Sequence, residues 1–284
     1  LHTAYRRQRQ MCIRDRYNFI EYCNKYKSSN TVRAYKKDIE QFLEYLKMIN
    51  ENISTLSFQN IEDYKSYMIN QMKLDVKSVN RKIVAMHEFL TYSQIAVTIK
   101  PLKIQTQNFL EDIFSSDEVQ KIIHITELNN DYRAKALILT LELTGTRISE
   151  CLQIQISDIK QDSINIIGKG QKRRNIFIPK KLQNVWQEYV PYRIKKSNAL
   201  FTGRQGAISR KTGYNIVRKY GILAGIDKKK VHPHNFRHYY IKSLLAHNVE
   251  ITSVSDLVGH SDINVTRQYA RKTKQELLDI INDI

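Results

Sequence analysis

Apolar residues recur at steps of three and four positions through the first third of the chain, the spacing of an amphipathic helix. Three such stretches lie between residues 17 and 93, with Asn30 or Thr31 as the expected cap of the first and a third beginning near Ser78. The apolar positions are Val32, Tyr35, Ile39, Phe42, Leu43 and Leu46, then Ile61, Tyr64, Tyr67, Met68 and Met72, then Val79, Ile83, Met86 and Leu90. We expect these stripes to form the core of a helical domain over residues 17–97.

The helical pattern breaks over residues 94–112, where Pro101 stands among several Lys and Gln residues. We assign residues 98–112 to an interdomain linker. A second domain, residues 113–284, opens with a helix-start pattern at Ser115 to Glu118. A long apolar helix should follow over residues 134–143, and the Thr144-Gly145 pair should end it before another helix begins near Thr146.

The hydrophobic period changes from helical spacing to alternation between residues 163 and 178. Ile164 and Ile166 alternate with polar neighbours, and Ile176 and Ile178 flank Phe177. The sequence Gly-Lys-Gly-Gln lies between these two runs, so the segment predicts a β-hairpin with Lys169 in or beside its turn. The remainder is expected to be mainly helical, with a long basic loop over residues 202–213.

Positive charge is in large excess, with 46 Lys and Arg residues against 28 Asp and Glu and a net charge of +18. The excess recurs in clusters, which favours a polyanionic partner over a merely soluble basic protein. On the helices of the first domain, a solvated face is the alternative explanation for each cation. The polar faces there carry Arg33, Lys36, Lys37, Lys65, Arg81 and Lys82.

Other classes of protein fit poorly. No apolar run approaches the roughly 18 residues of a transmembrane helix, and the first residues lack the apolar centre of a secretory signal. The cysteines Cys12, Cys23 and Cys151 show neither metal-ligand nor disulfide spacing, so we expect a cytoplasmic protein without a membrane partner. Residues 1–16 are arginine-rich and without helical period; a DNA-binding arm is one interpretation, and we favour a disordered or non-native leader.

Two pairs of polar residues carry the spacing of one helix face. Arg147 and Glu150 are three positions apart after the Thr-Gly pair, and His234 and Arg237 are three apart after Pro233. Either pair alone is common, as a salt bridge or by chance. Together, two arginines can bind one phosphate through paired N–H donors, while histidines and a lysine can move protons. This chemistry needs no metal and no nucleotide cofactor.

His260 and Tyr269 are nine positions apart, which would place them on opposite faces of an unbroken helix, because nine residues turn about 900°. Gly259 and the cap pattern Ser261-Asp262 predict a break between them. Tyr269 would then lie on a separate short helix, near enough to His260 to act with it. Burial in a core is the alternative for a single tyrosine in a chain that has 17.

These motifs, in this order, resemble the tyrosine recombinase family, or phage-type integrases, and most of all its Xer-type and transposon-resolvase members. The resemblance covers residues 17–284 and implies a mainly α fold, with a helical SAM-like core-binding domain and an α+β catalytic domain that carries a small antiparallel hairpin. It implies attack by Tyr269 and activation of the phosphate by five other residues. These are Arg147, Lys169, His234, Arg237 and His260, with Glu150 in support.

The resemblance further implies strand cleavage and rejoining through a 3′-phosphotyrosine, on two double-stranded DNA sites held by a homotetramer or by a heterotetramer with a paralogue. Candidate DNA contacts are Arg33, Lys36, Arg81, Lys172, Arg173, Arg210 and Lys211. The amphipathic segment from Lys274 to Ile284 would dock on a neighbouring protomer, or else pack on its own domain. Rival functions are a catalytically silent accessory protein, a type IB topoisomerase and a structural nucleoid protein.

Overall fold

The computed structural model describes residues 16–104, 112–168, 173–260, 262–271, 278 and 280–283. The chain divides into two compact units, Leu1–Thr106 and Gln107–Ile284, and each has its own hydrophobic core. The leader assigned to residues 1–16 lies outside the described residues except for Arg16.

The first unit is helical, as its apolar spacing predicts. Helix α1 is described over residues 16–26 and is followed by α2 (Ser29–Met48), a 3₁₀ turn (Ile53–Thr55), α3 (Phe58–Asn70) and α4 (Val76–Tyr92). Side chains of Ser28, Ser57 and Asp75 cap the last three helices by accepting a backbone N–H. The cap of α2 is therefore Ser28, not Asn30 or Thr31, because the helix begins earlier than the first apolar position.

Two lysines expected on the polar helix faces are buried instead. Lys82 is 7% exposed and Lys65 is 3% exposed. The Nζ of Lys82 donates to Oδ1 of the buried Asp38 at 2.8 Å, and the Nζ of Lys65 donates to the Lys100 carbonyl at 2.6 Å. A charge is buried when a partner satisfies it. Lys65 also pairs with Glu62 on its own helix at 2.6 Å, but Asp38 and the Lys100 carbonyl lie far away in the sequence, so helix spacing alone does not show that the two lysines are buried.

The second unit begins with three helices, α5 (Ser116–Leu128), α6 (Tyr132–Thr144) and α7 (Ile148–Cys151), and a 3₁₀ turn at Ile156–Asp158. After strands β1 (Ser163–Ile167) and β2 (Arg173–Phe177) come α8 (Lys180–Tyr189), a 3₁₀ turn (Val190–Tyr192) and the short strands β3 (Thr202–Gly203) and β4 (Gly206–Ala207). The unit continues with α9 (Arg210–Leu223), α10 (Pro233–Ala246), α11 (Ile251–Val258), α12 (Ile263–Arg267) and a 3₁₀ turn (Gln268–Ala270).

Helix α6 runs through the middle of this unit's core. Every residue from Ala136 to Glu142 is buried, and Trp186 of α8, itself fully buried, donates its indole N–H to Oγ1 of Thr140 at 2.9 Å. A helix buried on all sides gives the unit a rigid axis, and the residues that follow its C-terminus are therefore held in a fixed place.

The hairpin forms as predicted. Strands β1 and β2 pair antiparallel, with Ser163 opposite Phe177 and Ile167 opposite Arg173, and the alternating isoleucines are buried. The basic segment over residues 202–213 is not a simple loop, because it holds β3, β4 and the start of α9 at Arg210, capped by Ser209. The fold is mainly helical with small antiparallel sheets, as expected. No helix in the described part of the chain has the length and apolarity needed to cross a membrane.

Candidate active site

A glycine at the end of α6 sets the position of Arg147. Gly145 has a φ of 58°, in the left-handed region, and its N–H donates to the Leu141 carbonyl at 3.1 Å. A Cβ at this position would lie 2.3 Å from Cδ1 of Tyr240. Only glycine allows both the backbone turn and this close approach of α10, and two residues later Arg147 caps the next helix, α7.

Glu150 fixes the orientation of Arg147 by binding both its side chain and its backbone. Its Oε1 accepts from Nη1 of Arg147 at 2.8 Å, while its Oε2 accepts from the Arg147 backbone N–H at 2.9 Å and from Nη2 of Arg174 at 2.8 Å. Burial raises the pKa of the Glu150 carboxyl, but the hydrogen bonds and charges of the two arginines outweigh burial and leave that pKa below its ordinary value. Glu150 is thus a fixed anion, and the side chain of Arg147 remains one-third exposed.

Arg174, which sequence reasoning did not single out, joins three parts of the site. It lies on β2, it binds Glu150 of α7, and its Nη1 donates to the carbonyl of Leu257 in α11 at 2.8 Å. Its side chain is 12% exposed, and it shares the inward face of β2 with the buried Ile176. An arginine in register with the buried residues of a strand was the available indication of its role.

Arg237 of α10 is the most deeply buried cation of the site, at 1% exposure. Its Nη1 donates to the Gly145 carbonyl at 2.9 Å and its Nη2 to the Val258 carbonyl at 2.6 Å, while its Nε has no partner. Burial lowers the pKa of the guanidinium to about 10, with further lowering by the charges of Arg147 and Arg174. Arg237 still carries its charge at neutral pH, so three guanidinium groups converge on a single place with one carboxylate among them.

Four histidines surround this cluster in different roles. His232 caps α10, its Nδ1 accepting the Asn235 N–H at 3.1 Å. His260 shares a 2.7 Å hydrogen bond between its Nδ1 and Oγ1 of Thr266, and burial, then the charges of Arg237 and Arg147, lower its pKa to about 4. Burial and the same two arginines also lower the pKa of His234. These rings are neutral at physiological pH.

His260 and Tyr269 do not lie on one continuous helix, as their spacing predicts. Helix α11 ends at Gly259, whose φ is 68°, and α12 begins after Asp262, which caps it. Tyr269 follows in the 3₁₀ turn and packs against the small apolar cluster around Ile241. Burial raises the pKa of Tyr269, and the charge of Arg237 only partly opposes this, so the phenol keeps its proton in the free protein.

The phenol oxygen of Tyr269 is hydrogen-bonded to Nδ1 of His238, a residue that lies beside Arg237 but outside the motifs identified in the sequence. The two rings lie 5.2 Å apart, centroid to centroid. His238 also meets His234 edge-on at 4.5 Å. Its proximity to Tyr269 depends on how α10 packs against the final 3₁₀ turn, which sequence spacing does not show.

Six of the predicted site residues therefore gather in one place: Arg147, Glu150, His234, Arg237, His260 and Tyr269. Lys169 and Lys172 lie outside the described residues. Among the predicted DNA contacts, Arg81 is ion-paired with Asp38, and the others that are described lie exposed on α2, β2 and the first turn of α9: Arg33, Lys36, Arg173, Arg210 and Lys211. Within the described ranges, no group of three or more His, Cys, Asp or Glu residues is arranged to hold a metal ion.

Comparison with known proteins identifies the family. The model of the phage integrase family matches residues 112–276, and that of the phage integrase N-terminal SAM-like domain matches residues 18–94. A tyrosine recombinase of Pseudothermotoga lettingae is 31% identical over 269 residues, which cover 90% of this chain and 92% of that protein. The chain belongs to the phage integrase family, the tyrosine recombinases.

Its relatives are of the Xer type. The tyrosine recombinase XerD of Staphylococcus epidermidis is 28% identical over 285 residues, covering 93% of this chain and 95% of that protein. Among solved structures, XerH bound to its palindromic difH substrate matches with a TM-score of 0.74 at 20% identity, over 88% of this chain and 78% of that one. A lambda integrase tetramer bound to a Holliday junction matches with a TM-score of 0.71 at 13% identity, over 90% and 76% of the two chains.

These findings confirm the predicted family and fold. They also establish the class of reaction, which is cleavage and rejoining of DNA by site-specific recombination. At identities below a quarter, the likeness to the solved structures concerns the fold alone.

Proposed function

We propose that the chain cuts and rejoins double-stranded DNA at a specific site, with Tyr269 as the nucleophile, and that it uses neither a metal ion nor ATP. The observation that carries this proposal is that Arg237 connects the three groups: it donates to the carbonyl of Gly145, two residues before Arg147, and to that of Val258, which belongs to the apolar cluster against which Tyr269 packs. Phosphoryl transfer needs charge neutralisation beside an aligned nucleophile, and this cluster offers both.

The two arginines neutralise the non-bridging oxygens of the scissile phosphate. A planar guanidinium suits paired phosphate oxygens better than an ammonium does. Glu150 and the two carbonyl partners of Arg237 hold both groups before DNA arrives, so little reorganisation is required during the reaction. By analogy with oxyanion-hole donors, each arginine is worth about 10²–10³ in rate.

The covalent step balances without a further reactant. The Oη of Tyr269 forms a bond to phosphorus, the bond from phosphorus to the 5′-oxygen breaks, and the leaving oxygen takes a proton from Lys169. His234 assists proton transfer at the nucleophile, and His260 hydrogen-bonds a phosphate oxygen. The phosphotyrosine ester conserves the energy of the original bond, so a free 5′-hydroxyl can rejoin the strand without ATP.

The partners in this proposal are two DNA sites and three further protomers, identical or paralogous. The net charge of +18 supports a polyanionic partner, and the lambda integrase relative is a tetramer on a Holliday junction. Near the C-terminus, Leu278 and Ile281 are exposed at 41% and 65%, which supports docking of this segment on a neighbouring protomer. We assign residues 17–97 to core binding, 98–112 to the linker and 113–284 to catalysis, in the cytoplasm.

The nucleophile can be tested directly. We would select a duplex from a randomised library by its binding to the Tyr269→Phe variant, then incubate the labelled duplex with the wild-type protein. A denaturing gel should show a covalent protein–DNA adduct for the wild type and for the control Tyr26→Phe, whose ring is 72% exposed, but none for Tyr269→Phe. An adduct with Tyr269→Phe would refute the assignment.

The same preparation separates the rival functions. Binding without any adduct from the wild-type protein would indicate a catalytically silent accessory protein. Relaxation of supercoiled plasmids that lack the selected site would indicate a topoisomerase instead. Site-dependent exchange between two plasmids that carry the selected duplex is the result that we expect.

A further inference from the structure

His238 is the residue that touches the reacting atom of the proposed nucleophile. Its Nδ1 is hydrogen-bonded to Oη of Tyr269, and the phenol of Tyr269 keeps its proton because burial raises the pKa of the hydroxyl. With the ring hydrogen of His238 on Nε2, the hydroxyl donates and Nδ1 of His238 accepts with a free lone pair.

We propose that His238 is the general base of strand cleavage, taking the proton from Oη of Tyr269 as that oxygen attacks phosphorus. This inference rests on the proposed function, since it requires Tyr269 to be the nucleophile. The hydrogen bond that the transfer needs is already made in the free protein, and a base must stand within hydrogen-bonding reach of the proton that it removes.

His234, one turn earlier on α10, is better placed for the phosphate. Burial, and then the charges of Arg237 and Arg147, lower the pKa of His234, so this ring lies within the field of the two guanidinium groups that would bind the phosphate oxygens. Between His234 and Tyr269 stands His238, whose ring contacts both of theirs, at centroid distances of 4.5 Å and 5.2 Å. His238 therefore acts directly at the nucleophile, while His234 lies on the side of the phosphate.

The surroundings of His238 make the base dependent on DNA. In the free protein, burial above all, and among the charged groups Arg237, lower its pKa to about 3, so the ring is neutral and can accept a hydrogen bond. A bound phosphodiester brings a negative charge against Arg237, and a nearby anion favours the imidazolium. Tyr269 is therefore activated only when a phosphate is present for it to attack.

Each proton in the step is accounted for. Oη of Tyr269 loses its proton to Nδ1 of His238, which becomes an imidazolium, while the 5′-oxygen receives a different proton from Lys169. In rejoining, the 5′-hydroxyl attacks phosphorus and returns its proton to Lys169, while Oη leaves and takes its proton back from the imidazolium. The protein ends in its starting state.

The decisive variant is His238→Asn, because an asparagine amide can reproduce a hydrogen bond at the Nδ1 position but cannot take a proton. We expect the single-turnover rate of adduct formation on the selected duplex to fall by about 10²-fold or more, the usual contribution of a general base. Replacing Tyr269 with 3,5-difluorotyrosine, a more acidic phenol, reduces the need for a base, and the penalty of His238→Asn should then shrink at least about tenfold.

Two results would overturn the inference. If His238→Asn forms the adduct at close to the wild-type rate, His238 is not the general base. If His238→Asn slows adduct formation equally with tyrosine and with 3,5-difluorotyrosine, His238 only positions Tyr269. His247→Asn is the matched control: this histidine is exposed at the end of the same helix, with its Nδ1 bonded to the Ser243 carbonyl, and its replacement should change neither rate.

Failures of the two proposals are distinguishable. If the wild-type protein forms no adduct, the proposed function fails and this inference falls with it. If the adduct forms through Tyr269 but His238→Asn is unimpaired, only the inference fails. Thermal unfolding of each variant checks its fold, and His238→Gln, which carries the same expectation, replaces His238→Asn should that variant not fold.

Discussion

At the scale of single residues, the site depends on residues that hold its other side chains in place. Gly145 lets α10 approach the end of α6, and Glu150 fixes two arginines at once. Gly145 must be glycine because Tyr240 leaves no space for a side chain, and Glu150 must be an anion because two arginines bind it. Their replacement should therefore change the stability of the protein as well as its activity.

Gly145→Ala should lower the free energy of unfolding by about 2–5 kcal/mol, since a left-handed alanine costs about 1–2 kcal/mol and overpacking adds about 1–3 kcal/mol. Gly225→Ala separates the two costs, because Gly225 also has a positive φ, 75°, but its Cβ would meet nothing within 4 Å. Urea unfolding of both variants measures the difference. Equal losses would show that the ring of Tyr240 yields without cost.

The roles of some residues can be predicted from the sequence, and those of others cannot. The proposed catalytic positions follow from their order along the chain, so Arg147, His234, Arg237, His260 and Tyr269 can be predicted without coordinates. His238 and Arg174 cannot, because their roles depend on partners 31 and 24 residues away. For the same reason, the buried lysines at 65 and 82 were misplaced on solvated faces.

At the scale of elements, the hairpin is joined to the helices around it through Arg174. This one side chain connects β2 with α7 at Glu150 and with the end of α11 at Leu257. The hairpin itself follows from alternating isoleucines and could be predicted. Its attachment to the helices could not, because an arginine at the inward position of a strand shows no partner in the sequence.

Arg174→Met should destabilise the protein by about 3 kcal/mol, the usual cost of removing one partner from a buried ion pair, and should slow adduct formation because Glu150 then holds Arg147 less firmly. Arg173→Met is the matched control for the stability measurement, since the neighbouring arginine is exposed on the other face of β2. Thermal unfolding and single-turnover cleavage measure the two effects. A variant as stable as the control would show that the Glu150 site needs no second cation.

At the scale of the whole molecule, the chain consists of two compact units with separate cores. Composition and hydrophobic period were enough to foresee a helical first unit and a mixed second one, because cores are built from the repeating apolar positions. The excess of 18 positive charges belongs to this scale too, since a field of that size acts on DNA before any single contact forms.

Binding to the selected duplex should weaken steeply with salt, as each neutralised phosphate releases counterions. Replacing Arg210 or Lys211, both exposed in the first turn of α9, should lower the slope of log K against log salt by about one unit each if they contact phosphates. Lys121→Met, at an exposed position on α5, is the control. If the variants at Arg210 and Lys211 keep the wild-type slope, as the control does, α9 is not part of the DNA interface.

The packing of Arg174 against Gly259 has a consequence for attempts to evolve this enzyme. A Cβ at position 259 would lie 2.7 Å from Cδ of Arg174, so a larger residue there requires a shorter one at 174, and a shorter one releases Glu150. The two positions are therefore epistatic, although they are 85 residues apart in the printed sequence. Libraries that randomise the loop before the nucleophile while leaving the hairpin unchanged will return glycine, and new variants of this loop will come from libraries that vary both segments together.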